Sequence, residues 1–259
     1  MILGAGRGTR LRPLTNDIPK ILAPVLGLPM LDRLRAWLGA DGAVGAGPLA
    51  MNTHHLAAAV RRHLEQADSR GLPPLELFHE PDLLGTGGAL RNIEGFWGDD
   101  PLLVWNGDIV SAVAPSALCR AMERAMERVG DPRPAAVLLL QERSTTSWLM
   151  VDERGWITGL DSPRRGEVRR AGSPRGEQVN RAFNGVSLLA PVMRRYMPAD
   201  GAFDLIEVFL RAADAGECLL ALDAGRAFFG TTGSLEELAR LEQGLAADAA
   251  LLAAWTPPD

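Results

Sequence analysis

The stretch LLVWNGD, residues 102–108, begins with four consecutive apolar side chains, stops on Asn106-Gly107 and delivers Asp108. A strand that is apolar at every position is expected where helices cover both faces of a parallel sheet, and Asn-Gly marks the turn that ends it. Working outward, PLAMNT (48–53), LELFHE (75–80), AAVLLLQE (135–142) and GVSLLAP (185–191) read as further strands. Helical patterns lie at 30–39, 55–67, 115–129 and 235–254, so strands and helices alternate. That order predicts an α/β fold, a three-layer sandwich around a mostly parallel sheet. The segment 159–182 carries six arginines and several glycines without an apolar period, and it reads as a long solvated surface loop.

With 259 residues, 47% of them hydrophobic, the chain can fill a sizeable core. A net charge of -5 argues against nucleic-acid or anionic-membrane surfaces as partners, because both reward a basic excess. Cys119 and Cys218 lack metal-ligand spacing and read as core thiols in a reducing compartment. No apolar run of about 18 residues and no signal-peptide pattern occurs, so a cytoplasmic protein is expected.

Three constellations carry chemistry. In open α/β sheets ligands bind beyond the carboxyl ends of strands, which is where Asp108 falls; there it suits Mg²⁺ held with a nucleotide. The same Asn-Gly-Asp also suits a plain turn with Asp108 as a helix cap. The second is ILGAGRGTRLRPLTNDIPK, residues 2–20. It matches neither the dinucleotide fingerprint nor the P-loop. Gly4, Gly6 and Gly8 nevertheless let successive N–H groups form an anion-binding concavity, with Arg10 and Lys20 adding charge. Pro13, Pro19 and Pro24 are expected to hold this loop extended and rigid. The alternative is a solvated basic loop whose glycines serve as turns. The third is HEPDLLGTGGALRNI, residues 79–93, where Gly85, Gly87 and Gly88 precede a helix expected near Ala89. That loop can lay main-chain groups against a base edge, and Glu80 can accept hydrogen bonds from base donors. His54 and His55 point in different directions on a helix and lack a third ligand, so they read as structural or helix-start residues, with Asn52 or Thr53 as N-cap.

Taken together, these residues resemble the sugar-1-phosphate nucleotidyltransferase family, whose pattern runs G-x-G-x-R-L-x-P-L-T, P-K, a Gly-rich base loop and N-G-D. Here these are GRGTRLRPLT, IPK, LGTGGAL and NGDIV, and the likeness continues in FNGVSLLAP (183–191) and GAFDLIEVFLRAADAG (201–216). The resemblance implies a Rossmann-like core with an inserted sugar-binding portion, acting on an NTP and a sugar-1-phosphate with Mg²⁺. One domain is expected, with residues 1–115 as its nucleotide-binding part and 116–259 as its sugar-phosphate-binding part and C-terminal helices.

By the family's pattern Arg10 binds the departing pyrophosphate, Lys20 sits between the α-phosphate and the sugar phosphate, and Asp108 holds the metal. The pattern also implies that Leu3, Gly4, Ala5, Gly6, Gly8, Thr9, Glu80, Gly85, Thr86 and Gly87 line the nucleotide, with Asn106, Asn184 and Gly185 at the sugar. The loop LGTGGAL blends mannose-1-phosphate guanylyltransferases with N-acetylmuramate-1-phosphate uridylyltransferases; Glu80 slightly favours guanine, whose N1–H and N2–H₂ are donors, while a water or backbone group could serve uracil instead. Two departures stand out. Thr231 in FFGTTGS replaces the family's second metal aspartate, which implies a weakened metal site, and LDSPRR replaces its E-K-P sugar stretch, leaving an arginine between 164 and 170 to supply charge. A non-catalytic nucleotide-sugar-binding relative, acting as a regulatory or partner subunit, is the alternative to an active enzyme.

Overall fold

The computed structural model describes residues 1–42, 47–67, 71–128 and 132–258. Two compact units divide it: Met1–Leu83 with Trp105–Ser116 and Ala227–Asp259, and Leu84–Val104 with Ala117–Arg226. This grouping follows different lines from the division at 115/116. The C-terminal helices Leu235–Ala247 and Ala249–Ala254 belong to the first unit, and residues 84–104 to the second.

In the first unit the strand Ile2–Leu3 lies between Leu49–Thr53 and the end of Leu102–Asn106, parallel to both, with Ile2 opposite Met51 and Trp105. Leu75–His79 adds a further parallel strand beside Leu49–Thr53. Every residue from Leu49 to Thr53 is buried, so both faces of that strand are covered, as a three-layer Rossmann-like arrangement requires. The helix Met30–Ala40 turns Leu31, Leu34 and Leu38 inward, yet Asp32, Arg33 and Arg35 are buried as well. Their charges are met internally. Arg33 donates to the carbonyls of Val25 and Trp255, Arg35 to that of Pro73, and Asp32 pairs with His63.

A single helix over 235–254 is corrected to two. Asp248 leaves helical geometry and its side chain accepts from Leu251 N, so it caps the second helix and ends the first. The helix expected over 115–129 spans Pro115–Met126, and Val129 lies outside the described residues.

The second unit is built on Pro134–Gln141, buried throughout, which pairs antiparallel with Val179–Leu189 and parallel with Cys218–Asp223. The antiparallel pairs Trp148–Val151 with Ile157–Ser162, and Ile157–Ser162 with Glu167–Arg170, extend it. Residues 159–182 are therefore not an irregular loop but largely a β-hairpin and the start of the next strand. The outer strand Glu167–Arg170 is mostly exposed, so it carries no apolar alternation for the sequence to display. Cys218 is buried but Cys119 only half-buried, and neither is in a disulfide. No helix among the described residues is long and apolar enough to cross a membrane.

Candidate functional site

In the first unit the glycine loop leaves the end of Ile2–Leu3. A Cβ on Gly4 would stand 2.8 Å from Met51 Sδ, so glycine there lets the loop lie on the neighbouring strand. Gly6 is exposed and meets only Lys20 Cδ, at 3.8 Å, leaving it the open position of the loop. The expected extended course is corrected: the chain winds through three short 3₁₀ turns, Thr9–Leu11, Leu14–Asn16 and Lys20–Leu22. Leu11 and Ile21 are buried and pin the turns in place.

Those turns bring Lys20 to Asp108. Lys20 Nζ donates to Asp108 Oδ2, and the two side chains are 16% and 24% exposed. Gly107 makes the meeting possible, because a Cβ there would lie 2.4 Å from Ile21 Cδ1. Thr231 lies on a strand next to this turn: Phe229–Thr231 pairs antiparallel with Ile109–Ser111, with Thr231 opposite Ile109, and Thr232 N donates to Asp108 O at 2.9 Å. Asn106, opposite Leu3, precedes the same turn. Arg10 is exposed, with its Nη1 3.7 Å from Glu237 Oε2. In sequence Glu237 carries only the Ser-x-x-Glu spacing of a helix-start capping box, at 234–237, and no signal for a ligand. The structure keeps half of that box, with Glu237 N donating to Ser234 Oγ at 3.2 Å.

Glu80 is 1% exposed, and its Oε1 accepts from Asn52 Nδ2 at 2.8 Å. Asn52 Oδ1 in turn accepts from Gly4 N at 2.8 Å. The helix-start reading of His54, Asn52 and Thr53 is corrected. Asn52 and Thr53 end a strand, His54 Nδ1 bonds Glu80 O at 2.8 Å, and the helix begins only at Ala57.

In the second unit Gly85, Thr86, Gly87 and Gly88 do not precede the helix; they form its first turn, Gly85–Asn92. Phe203 explains the glycines. Its carbonyl accepts from Gly87 N at 2.9 Å and Gly88 N at 3.2 Å, and a Cβ on Gly87 would lie 2.5 Å from its ring. Thr86 Oγ1 accepts from Leu205 N at 2.8 Å, capping the helix Leu205–Asp214 where Asp204 makes no side-chain cap. Asn184 is 1% exposed, and its Oδ1 accepts from Arg143 Nε at 3.1 Å. Gly185 follows it, within the irregularity that shifts register between Phe183 and Ser187. Of the arginines between 164 and 170, Arg169 is neutralised by Glu207 at 2.6 Å and Asp214 at 3.3 Å, while Arg164, Arg165 and Arg170 are exposed. Burial alone would raise the Glu207 carboxyl, but hydrogen bonds from Arg211 and Arg169 outweigh it and hold the group below its ordinary range.

Lys20 and Asp108 thus share one end of a parallel sheet with the glycine loop, and Thr231 lies on the short strand paired with Ile109–Ser111, which follows Asp108. Among the described residues no group of three or more His, Cys, Asp or Glu forms a cage for a metal ion. Asp108 with Thr231 suits instead an ion that draws most of its ligands from phosphates and water.

Residues 1–146 match the family model described as nucleotidyl transferase. The mannose-1-phosphate guanylyltransferase of Mycobacterium tuberculosis is 35% identical over 140 residues, covering 51% of this chain and 38% of that protein. The N-acetylmuramate alpha-1-phosphate uridylyltransferase of Caulobacter vibrioides is 33% identical over 149 residues, covering 57% and 59%. The matched stretch is therefore less than two thirds of either relative. The crystal structure of apo UDP-glucose pyrophosphorylase shares the fold over 95% of this chain and 97% of that one, with a TM-score of 0.70 at 16% identity.

Proposed function

The chain belongs to the nucleotidyl transferase family, and we propose that it makes an NDP-sugar and pyrophosphate from an NTP and a sugar-1-phosphate. The observation that carries this reading is the Lys20–Asp108 pair beside the glycine loop, a cation and a carboxylate held where a triphosphate would lie. A sugar-phosphate oxygen attacks the α-phosphorus; the new O–P bond forms as the bond to the β-phosphate bridge breaks, and pyrophosphate leaves. The nucleophile is already ionised, so no general base is required, and catalysis consists of positioning and neutralising charge.

Lys20 approaches the α-phosphate and the incoming phosphate, and Arg10, exposed and loosely paired, takes the departing pyrophosphate. Asp108, with Thr231 beside it, would hold Mg²⁺, which when bound draws charge from the phosphate oxygens. Open N–H groups around Gly6 receive phosphate oxygens. Asn184, fixed by Arg143, and Gly185 are assigned to the sugar, and Gly85, Thr86 and Gly87 to the base. Mannose-1-phosphate with GTP, and N-acetylmuramate-1-phosphate with UTP, are the substrate pairs the relatives suggest. Cys119 and Cys218, not joined in a disulfide, suit a cytoplasmic setting.

Thr231 favours a second reading, a relative that binds nucleotide-sugar with little turnover, because a neutral hydroxyl stands where the family carries a carboxylate. Pyrophosphate release with Mg²⁺, measured over a panel of NTPs and sugar-1-phosphates, tests both. Turnover on one pair supports the enzyme. Silence on every pair, with NDP-sugar binding retained, supports the binding relative.

A further inference from the structure

We infer that Asn52, which the sequence offers only as an N-cap candidate, is the positioning residue that clamps the first peptide of the glycine loop and ties it to Glu80. The inference rests on the nucleotide reading of that loop.

The peptide between Leu3 and Gly4 is held at both ends. Its carbonyl, Leu3 O, accepts from Gly107 N at 2.9 Å, and its N–H, on Gly4, donates to Asn52 Oδ1 at 2.8 Å. With both polar groups engaged, this peptide plane cannot turn toward a ligand. It is a fixed origin from which the following peptides, around Ala5 and Gly6, are aimed. Gly107 immediately precedes Asp108, so the same peptide links the metal-side turn to Asn52.

Asparagine is the side chain this position demands. Gly4 N–H can only donate and so requires an acceptor, while the Glu80 carboxylate accepts and so requires a donor. Asn52 supplies both from one planar amide, with Nδ2 2.8 Å from Glu80 Oε1. At 4% exposure, at the end of a strand whose register sets Asn52 opposite Leu3, the amide has no room to serve a solvent role. Glu80 is buried behind it, and its main chain is tied down twice, by Glu80 N to Thr53 O and by His54 Nδ1 to Glu80 O, each at 2.8 Å. Glu80 accordingly acts on the nucleotide through Asn52 and the loop, not by reading the base edge itself. A loop-positioning device shifts affinity for every base alike, whereas a base reader shifts the ratio between bases.

The test is calorimetric titration of the full chain with GTP and with UTP in the presence of Mg²⁺, alongside thermal unfolding. Asn52→Asp sets two carboxylates against each other, and it is expected to weaken both nucleotides at least about tenfold while their ratio stays within about threefold. Adding Glu80→Gln to that variant reverses the polarity of the pair: the new amide donates and the new carboxylate accepts from it and from Gly4 N. This double variant is expected to recover most of the loss, which a merely structural defect would not do. Slow hydrogen exchange of the Gly4 amide in the unaltered chain, and fast exchange in Asn52→Ser, reads the clamp without any ligand.

A folded Asn52→Asp protein that binds both nucleotides as the unaltered chain does would overturn the inference, and so would a double variant no better than the single. Glu80→Gln alone changing the GTP-to-UTP ratio about tenfold would overturn it in favour of direct base reading. If the unaltered chain binds neither nucleotide, the proposed function itself fails and the inference falls with it. That outcome is distinct from a chain that binds nucleotide and ignores Asn52.

Discussion

Lys20 and Asp108, far apart in sequence, form an ion pair with both side chains largely covered, at the carboxyl end of a parallel sheet. Two such groups in contact each hold the other in place until a more strongly charged ligand arrives. Replacing either removes a preorganised charge from the site. Lys20→Ala is expected to lower turnover about 10²-fold or more in a protein that still folds, and Asp108→Asn to raise the Mg²⁺ concentration needed for half-maximal rate. Pyrophosphate release against Mg²⁺ concentration measures both, and near-normal curves would remove the pair from catalysis.

Arg10 rests near Glu237 without a well-formed hydrogen bond, Nη1 to Oε2 being 3.7 Å. In the proposed site the carboxylate would compete with a triphosphate for the guanidinium, and exposed pairs of this kind are weak. Glu237→Gln is therefore expected to lower KM for the NTP by about two- to fivefold with kcat little altered, while Arg10→Ala raises KM and lowers kcat. A rise in KM for Glu237→Gln would mean that the carboxylate orients Arg10 productively.

Thr231 stands opposite Ile109, next in sequence to Asp108. Thr231→Asp adds an anionic oxygen beside the proposed ion and is expected to increase Mg²⁺ affinity, seen as a lower half-saturating concentration in titration or rate. A chain inactive on all substrate pairs that gains turnover with this substitution would establish the binding-relative reading. A neutral effect would place position 231 away from the ion.

Gly87 packs against the ring of Phe203, where a Cβ would come within 2.5 Å. Gly87→Ala is expected to destabilise the second unit by about 1–3 kcal/mol through overpacking. In the Phe203→Ala background the same substitution should cost much less, a coupling readable from denaturant midpoints. Equal costs in both backgrounds would refute the steric account.

Asp152 is 4% exposed and accepts from Arg154 Nε at 2.8 Å and from the amides of Arg154, Arg175 and Trp156. Burial pushes its carboxyl up, but these bonds outweigh burial and hold it below its ordinary value. A depressed carboxylate contributes stability above the unfolded-state value, about 3.9, and loses that contribution as pH falls through the lower folded value. The stability gap between the unaltered chain and Asp152→Asn is expected to be widest near neutrality and to narrow below about pH 4. A gap independent of pH would exclude the charge as its source.

Several elements were legible before folding because their causes are local. The apolar run of Leu102–Trp105 marks a strand covered on both faces, and the Asn-Gly step marks its end, wherever the rest of the chain goes. The strands at 49–53 and 75–79 and the helix at 30–40 follow likewise from short-range pattern. The hairpin within 159–182 was hidden because its outer strand is exposed and held by long-range pairing, with Arg169 meeting Glu207 and Asp214 from another element.

By itself the sequence determined the α/β class and the residue types gathered at the carboxyl end of the sheet. It could not say which glycines packing requires, because the answer lies in atoms distant along the chain. Gly4 is small for Met51, Gly107 for Ile21 and Gly87 for Phe203, while Gly6 alone of the first loop's alternating glycines is exposed with almost nothing against it. Nor could it pair Lys20 with Asp108, Thr231 with Ile109, or Asn52 with both Gly4 and Glu80. Those partnerships arise when separate strands and turns close on one another, and only the tertiary structure brings their donors and acceptors within hydrogen-bonding reach.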